Sequence, residues 1–103
     1  MTGTEVTAII PVFNDSTSLA ITLPKSIETL SGISSKFEII VAEDGSNDGS
    51  TEYVRQFEKQ DGRVHLLHHD ERQGRGRALR VAIHGSNGSI ICYFDVDLAT
   101  YMQ

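Results

Sequence analysis

Residues 89–97 read SIICYFDVD, a run of five apolar or aromatic residues that ends in two acids separated by one residue. The apolar run, Ile90 to Phe94, is typical of a parallel strand that is buried on both faces at the centre of a sheet. The acids are Asp95 and Asp97. Because ligands of open α/β sheets bind outside the carboxyl ends of the strands, this pair indicates a site for a hard divalent cation, which prefers oxygen ligands.

Three further apolar segments precede this strand, and a helical pattern follows each of them. The strands are predicted at Val6–Phe13, Phe37–Ala42 and Val64–His68, and the later helices at about Ser50–Gln60 and Arg75–His84. The first helix follows the turn at 14–17 and contains Pro24, which either kinks the helix or marks its first turn. The βαβαβαβ order predicts an α/β fold, a Rossmann-like parallel sheet with helices on both faces.

Length and charge limit the class of protein. The 103 residues suffice for one domain, no apolar run is long enough to span a bilayer, and we expect a cytoplasmic location. The net charge is −5, yet four of the nine basic residues fall close together, at Arg72, Arg75, Arg77 and Arg80. An acidic chain with one arginine cluster argues against nucleic-acid binding. The cluster suits a phosphate group, or it is a solvated helix face.

Acids follow three of the predicted strands at comparable places. Asp15 follows the first strand, the loop after the second opens with Glu43 and Asp44, and Asp95 and Asp97 follow the fourth. Such carboxylates can accept hydrogen bonds from a nucleobase or from ribose hydroxyls, although each alone is more often a cap or turn residue. Asp48 is predicted to cap the second helix. The four histidines lack the spacing of a metal site.

Glycines and arginines at 74–77 superficially suggest a dinucleotide-binding loop, but that motif belongs in the first βα turn, and here the stretch follows the third strand. Two interpretations stay open. The stretch is a helix start whose backbone N–H groups and arginines face a pyrophosphate, or it is a plain loop with solvent-facing arginines.

Taken together, four stretches resemble the GT-A glycosyltransferases of family 2, most of all the polyprenyl-phosphate (dolichyl-phosphate) mannose and glucose synthases. The stretches are Pro11–Asp15, Val41–Ser50, Arg72–Ala78 and Asp95–Asp97. The resemblance implies a site for a nucleotide-diphosphate sugar, a UDP- or GDP-hexose. It implies that Mg²⁺ or Mn²⁺ is bound by Asp97 with Asp95. The nucleotide-sugar residues that it implies are Pro11, Phe13, Asp15, Ala42, Asp44, Arg72, Arg75, Asp95 and Val96.

Within this resemblance Phe13 stands where the family usually has Tyr, and Ala99 where mannose synthases have Gln. We therefore expect a glucose-synthase-like or divergent member that transfers a hexose to a polyprenyl phosphate lipid at the cytoplasmic membrane face. The family fold normally has a second half with the catalytic residues. We expect residues 1–103 to be the nucleotide-binding part of a GT-A domain truncated after its fourth strand. A non-catalytic nucleotide-binding fragment or pseudoenzyme is the alternative, and an uncovered fourth strand would favour self-association.

Overall fold

The computed structural model describes residues 5–14, 16–69, 74–86 and 90–93, and describes only the backbone of Arg75, Ala78, Leu79 and Tyr93. Within these residues the chain forms a parallel sheet of four strands in the order β3-β2-β1-β4. The strands are β1 (Val6–Val12), β2 (Phe37–Asp44), β3 (Val64–His69) and β4 (Ile90–Tyr93), and the helices are α1 (Ser16–Ile33), α2 (Ser50–Gln60) and α3 (Arg75–His84).

The element order is confirmed, and each strand begins at the predicted residue. Strand β1 ends one residue earlier than predicted, at Val12, and β3 one residue later, at His69. Helices α2 and α3 begin and end at the predicted residues. Pro24 lies well inside α1, so it does not mark the first turn of that helix. Strand β2 is longer than predicted, because Glu43 and Asp44 continue its ladder with β3 instead of opening a loop. Both acids are consequently fixed by the sheet.

Helices cover both faces of the sheet, as predicted. On one face α1 and α2 pack over the larger core, to which α1 contributes Leu19, Leu23 and Leu30. Burial of a leucine side chain stabilises the fold by about 1.5–3 kcal/mol relative to leaving it exposed. On the other face α3 packs over a smaller core, built on Ile9, Ile40, Ala42 and Ala82. No helix in the described ranges has the length and apolar character needed to cross a membrane.

Strand β4 lies at an edge of the described sheet, hydrogen-bonded to β1 on one side. Ile90 is 60% exposed and Ile91 is 43% exposed. The prediction that this strand is buried on both faces is therefore wrong for the described chain. An apolar run shows that a strand prefers to be covered, but it does not show where the strand lies in the sheet.

Candidate nucleotide site at the carboxyl edge of the sheet

Because all strands are parallel, the segments that follow β1 and β2 leave the sheet at the same edge, and the structure joins them there. The backbone N–H of Asn14 donates to Ser46 Oγ at 2.9 Å, and the N–H of Asn47 donates to Asn14 Oδ1 at 2.9 Å. Asn14 has a φ of 51°, in the left-handed region that asparagine tolerates better than most residues. The predicted convergence of these two segments is confirmed.

Asp48 connects the starts of two helices. Its Oδ1 accepts hydrogen bonds from the N–H and the hydroxyl of Ser50, at 3.1 and 2.6 Å, and its Oδ2 accepts one from the N–H of Ser16 at 3.0 Å. The N-cap of α2 is Gly49, one residue after the predicted Asp48, but the Asp48 side chain does bond to the first residue of α2. The structure adds a contact from Asp48 to the start of α1. Burial by itself raises the pKa of this carboxyl, but the hydrogen bonds from Ser50 and Ser16 outweigh it and hold the pKa below its ordinary value.

Three predicted site residues lie together on the α3 face of the sheet. Pro11 is the register partner of Ala42, and Asp44 lies two residues further along β2, on the same face. Asp44 is 4% exposed, and its Oδ2 accepts a hydrogen bond from the N–H of Gly74 at 3.0 Å. Gly74 has a φ of 92°, which disfavours side chains larger than hydrogen, and it precedes the first residue of α3. Asp44 therefore connects the end of β2 to the start of α3.

Glu43 is a residue whose role the sequence reasoning missed. It is fully buried on the opposite face from Asp44, and its carboxylate accepts hydrogen bonds from the N–H of Ser46, from Thr51 Oγ1 at 2.9 Å, and from Nδ1 of His68. A buried carboxylate is tolerated only when such donors surround it. The available signal was its position: Glu43 continues the alternating series Phe37, Ile39 and Val41, whose side chains share the face of the larger core.

The remaining predicted residues are placed only in part. Phe13 and Pro11 are half-buried, and Ala42 is fully buried beneath the edge. Arg75 begins α3 as predicted, but its side chain is not among those described. Five predicted site residues lie outside the described ranges: Asp15, Arg72, Asp95, Val96 and Asp97.

A metal centre can be sought only within the described part of the chain. There, no group of three or more histidine, cysteine, aspartate or glutamate side chains is placed to hold a metal ion. The predicted ligands, Asp95 and Asp97, follow the last described residue of β4. The Mg²⁺ or Mn²⁺ site therefore stays a prediction.

The parallel sheet and the polar carboxyl edge are those of a Rossmann-like α/β domain that binds its ligand at the ends of the strands. Comparison with known proteins gives the family. The chain belongs to Glycosyl transferase family 2, whose model matches residues 7–101. The predicted family and the GT-A type of fold are confirmed.

Two relatives of this chain are named as glycosyltransferases, one of them as a lipid-phosphate sugar transferase. Glycosyltransferase AglD of Haloferax volcanii is 38% identical over an alignment of 103 positions, which covers 98% of this chain and 16% of AglD. Dolichyl-phosphate beta-glucosyltransferase ALG5C of Trichomonas vaginalis is 29% identical over an alignment of 99 positions, which covers 91% of this chain and 29% of that protein.

A solved structure supports the same assignment. The mannosyltransferase PcManGT from Pyrobaculum calidifontis, in complex with GDP-Man and Mn²⁺, superposes with a TM-score of 0.77 at 26% identity. The superposition covers 90% of this chain and 27% of that protein. The chain thus spans less than a third of each of these relatives.

Proposed function

We propose that this chain is the donor-binding part of a glycosyltransferase that moves a hexose from a UDP- or GDP-sugar to a polyprenyl phosphate lipid, with a divalent metal. The observation that carries the proposal is the carboxyl edge of the sheet. There the segments after β1 and β2 are hydrogen-bonded to each other, and Asp44 lies at the end of β2 beside the start of α3.

The residues at this edge suit recognition of a nucleotide. Asp44 supplies acceptor oxygens for the N–H groups of a base, and Pro11 and Phe13 supply an apolar surface for its ring. The N–H of Gly74 already bonds to Asp44, so a base that reaches this carboxylate shares it with the start of α3. Asp15, Arg72, Arg75, Asp95 and Val96 are assigned to the ribose, sugar and phosphates by the family resemblance alone.

The metal is assigned to Asp97 together with Asp95. Carboxylates are the ligands that Mg²⁺ and Mn²⁺ prefer, and this pair follows the carboxyl end of β4, which is paired to β1. PcManGT, the solved relative, is in complex with Mn²⁺ and GDP-Man. When bound, such an ion supplies positive charge that stabilises a diphosphate leaving group.

The acceptor is proposed from the relatives. ALG5C is by name a dolichyl-phosphate glucosyltransferase, and we extend a lipid-phosphate acceptor to the protein that contains this chain. An enzyme that uses such an acceptor works at a membrane surface, which we take to be the cytoplasmic face. Self-association through the edge strand β4 stays a prediction.

The test is a thermal unfolding experiment on the complete protein with UDP- and GDP-sugars, with and without Mn²⁺. Ligand at roughly 100 times Kd adds about 2.7 kcal/mol to the free energy of unfolding, so binding raises Tm. Asp97→Ala is expected to remove the Mn²⁺-dependent part of the shift, and Asp61→Ala, which changes an aspartate in the turn before β3, is expected to keep it. The absence of a shift with every nucleotide sugar would contradict the proposal.

A further inference from the structure

Glu43 joins three separate elements through one buried carboxylate. Its donors are Ser46 in the loop after β2, Thr51 in α2 and His68 in β3. The exposed fraction of Glu43 is 0%, so water does not replace a lost donor. A carboxylate in this setting fixes the relative positions of its donors, because moving any of them leaves buried charge without a partner.

The contact to Ser46 extends the influence of Glu43 to the end of β1. The N–H of Ser46 donates to Glu43, while Ser46 Oγ accepts the hydrogen bond from the N–H of Asn14. The side chain of Asn14 in turn holds the N–H of Asn47. This chain of contacts runs from His68 through Glu43 and the loop to Asn14, the residue after Phe13.

Glu43 does not itself face the proposed nucleotide site, which is formed by Asp44, Pro11 and Phe13. Its side chain lies on the α1 and α2 face, whereas Asp44, the next residue, lies on the α3 face. Any effect of Glu43 on a ligand must therefore pass through the backbone of β2 on one side and through Ser46 and Asn14 on the other.

We propose that Glu43, held by His68, is the positioning residue of the donor site, and that it sets the separation between Asp44 and the segment that contains Phe13. The proposal rests on the nucleotide-sugar function proposed above. A displacement of about 1 Å in a binding group can lower ligand affinity by a large factor. A residue that fixes the positions of both Asp44 and the Phe13 segment therefore controls affinity without contacting the ligand.

The test compares matched variants of the complete protein. Glu43→Gln preserves the size of the side chain but puts an amide where the carboxylate of the unmodified protein accepts three hydrogen bonds. His68→Leu removes one of the three donors. Each is expected to weaken GDP or UDP binding in the presence of Mn²⁺ about tenfold, measured by titration calorimetry well below Tm. His68→Gln restores an N–H donor and is expected to recover most of the affinity. Glu38→Gln makes the same change near the other end of β2 and is expected to leave Kd unchanged.

A second measurement works without ligand. Hydrogen exchange at the Asn14 and Asn47 amides is expected to be faster in Glu43→Gln and His68→Leu than in Glu38→Gln, because the loop contacts loosen. Unchanged exchange at these amides would overturn the positioning role, whether or not nucleotide binds. If exchange at these amides is faster in the variants as expected, but the unmodified protein binds no nucleotide, the proposed function is overturned and the positioning role is not. Equal Kd values for all variants of a protein that does bind would also refute the positioning role.

Discussion

Strand β2 carries a glutamate near each end, and a histidine of β3 lies beside each one. At the carboxyl end, Glu43 is fully buried and takes three hydrogen bonds, one of them from His68. At the amino end, Glu38 is 5% exposed and accepts a hydrogen bond from Thr7 Oγ1 at 2.6 Å, but the nitrogen of His65 is 3.8 Å away. The same two residue types thus form a closed cluster at one end and a loose pair at the other.

The direction of a parallel sheet gives its two edges different polar groups. At the carboxyl end the helices begin, and Asp48 accepts hydrogen bonds from the first N–H groups of α1 and α2. The donors of Glu43 lie at the same edge, but they are one loop N–H, the hydroxyl of Thr51 and the ring of His68. At the amino end the helices finish, and their free groups are carbonyls, which cannot donate to a carboxylate. Glu38 borders a cavity of about 400 Å³, lined also by His65 and by apolar side chains of β2, β3 and α3. The hydrogen-bonded glutamate–histidine pair, Glu43 with His68, thus lies at the edge where we place the ligand.

The largest expected effect compares the two histidines. His68→Leu leaves a buried carboxylate without one of its donors and is expected to lower the free energy of unfolding by about 1–3 kcal/mol. His65→Leu removes a half-exposed side chain that makes no hydrogen bond to Glu38. It is expected to lower the free energy of unfolding by less than about 1 kcal/mol. Urea unfolding with an unchanged m value measures both. Equal losses would show that the two ends do not differ energetically.

Asp48 tests the polar order at the carboxyl edge through pH. Asp48→Ala removes the acceptor for the starts of α1 and α2 and is expected to cost about 1–2 kcal/mol at neutral pH. Because the folded pKa is lowered, the contribution of the charge is present above the ordinary aspartate value of about 3.9. It is lost as pH falls through the lower folded value.

The measurement for Asp48 is urea unfolding at several pH values between about 2.5 and 7. The stability gap between Asp48→Ala and the unmodified chain is expected to be flat at the upper end of this range and to narrow below about pH 4. Asp48→Asn keeps an acceptor oxygen but loses the charge, so its loss should be smaller. A gap that widens as pH falls would contradict the lowered pKa.

The smallest effect is expected at the amino end, in the turn before β3. Arg63 donates to both carboxylate oxygens of Asp61, at 3.0 and 2.9 Å, and its guanidinium lies 4.5 Å from the ring centre of Phe37. The hydrogen bond from Arg63 lowers the pKa of Asp61. Since the Arg63 side chain is 43% exposed, Arg63→Ala is expected to cost at most about 1 kcal/mol.

Arg63 contributes to stability through its ion pair with Asp61 and through its contact with the Phe37 ring, and salt weakens the ion pair. Thermal unfolding in low salt and in about 1 M salt should show the cost of Arg63→Ala shrinking as screening increases. Arg63→Lys keeps the charge but loses the planar guanidinium that donates to both oxygens of Asp61. Its stability is expected to lie between that of Arg63→Ala and that of the unmodified chain. A loss for Arg63→Ala as large as that for His68→Leu would remove the proposed contrast between the ends.

The order of strands and helices was predictable because each strand is an apolar run and each helix has a polar start and a glycine or acid at its end. Two features were not predictable in the same way. Glu43 and Asp44 were assigned to a loop because they open a run of polar residues and glycines that extends to Ser50, yet the pairing with β3 keeps both in the sheet. Strand β4 was assigned to the centre because it is apolar, yet among the strands that the structure describes it lies at an edge of the sheet.

The candidate site was predictable to the level of which loops meet. Parallel strands must release their following segments at one edge, so the meeting of the segments after β1 and β2 followed from the βα order alone. The partners within that edge did not follow. Nothing in the sequence indicates that Ser46 bonds with both Glu43 and Asn14, or that Asp48 serves two helices, because those contacts depend on how far each loop reaches.

By itself, the sequence determined an α/β chain with acids after its strands, and its motifs gave the family, because periodicity and motif spacing are local properties. Only the tertiary structure decided which acid is buried against histidine, which one meets the start of α3, and which strand is left at the edge. The metal site at Asp95 and Asp97 remains a sequence prediction. The contacts that hold the segment after β1, from Glu43 through Ser46 to Asn14, are seen in the structure. The physical reason is that hydrogen-bond partners and strand order are long-range pairings, and a linear pattern does not encode them residue by residue.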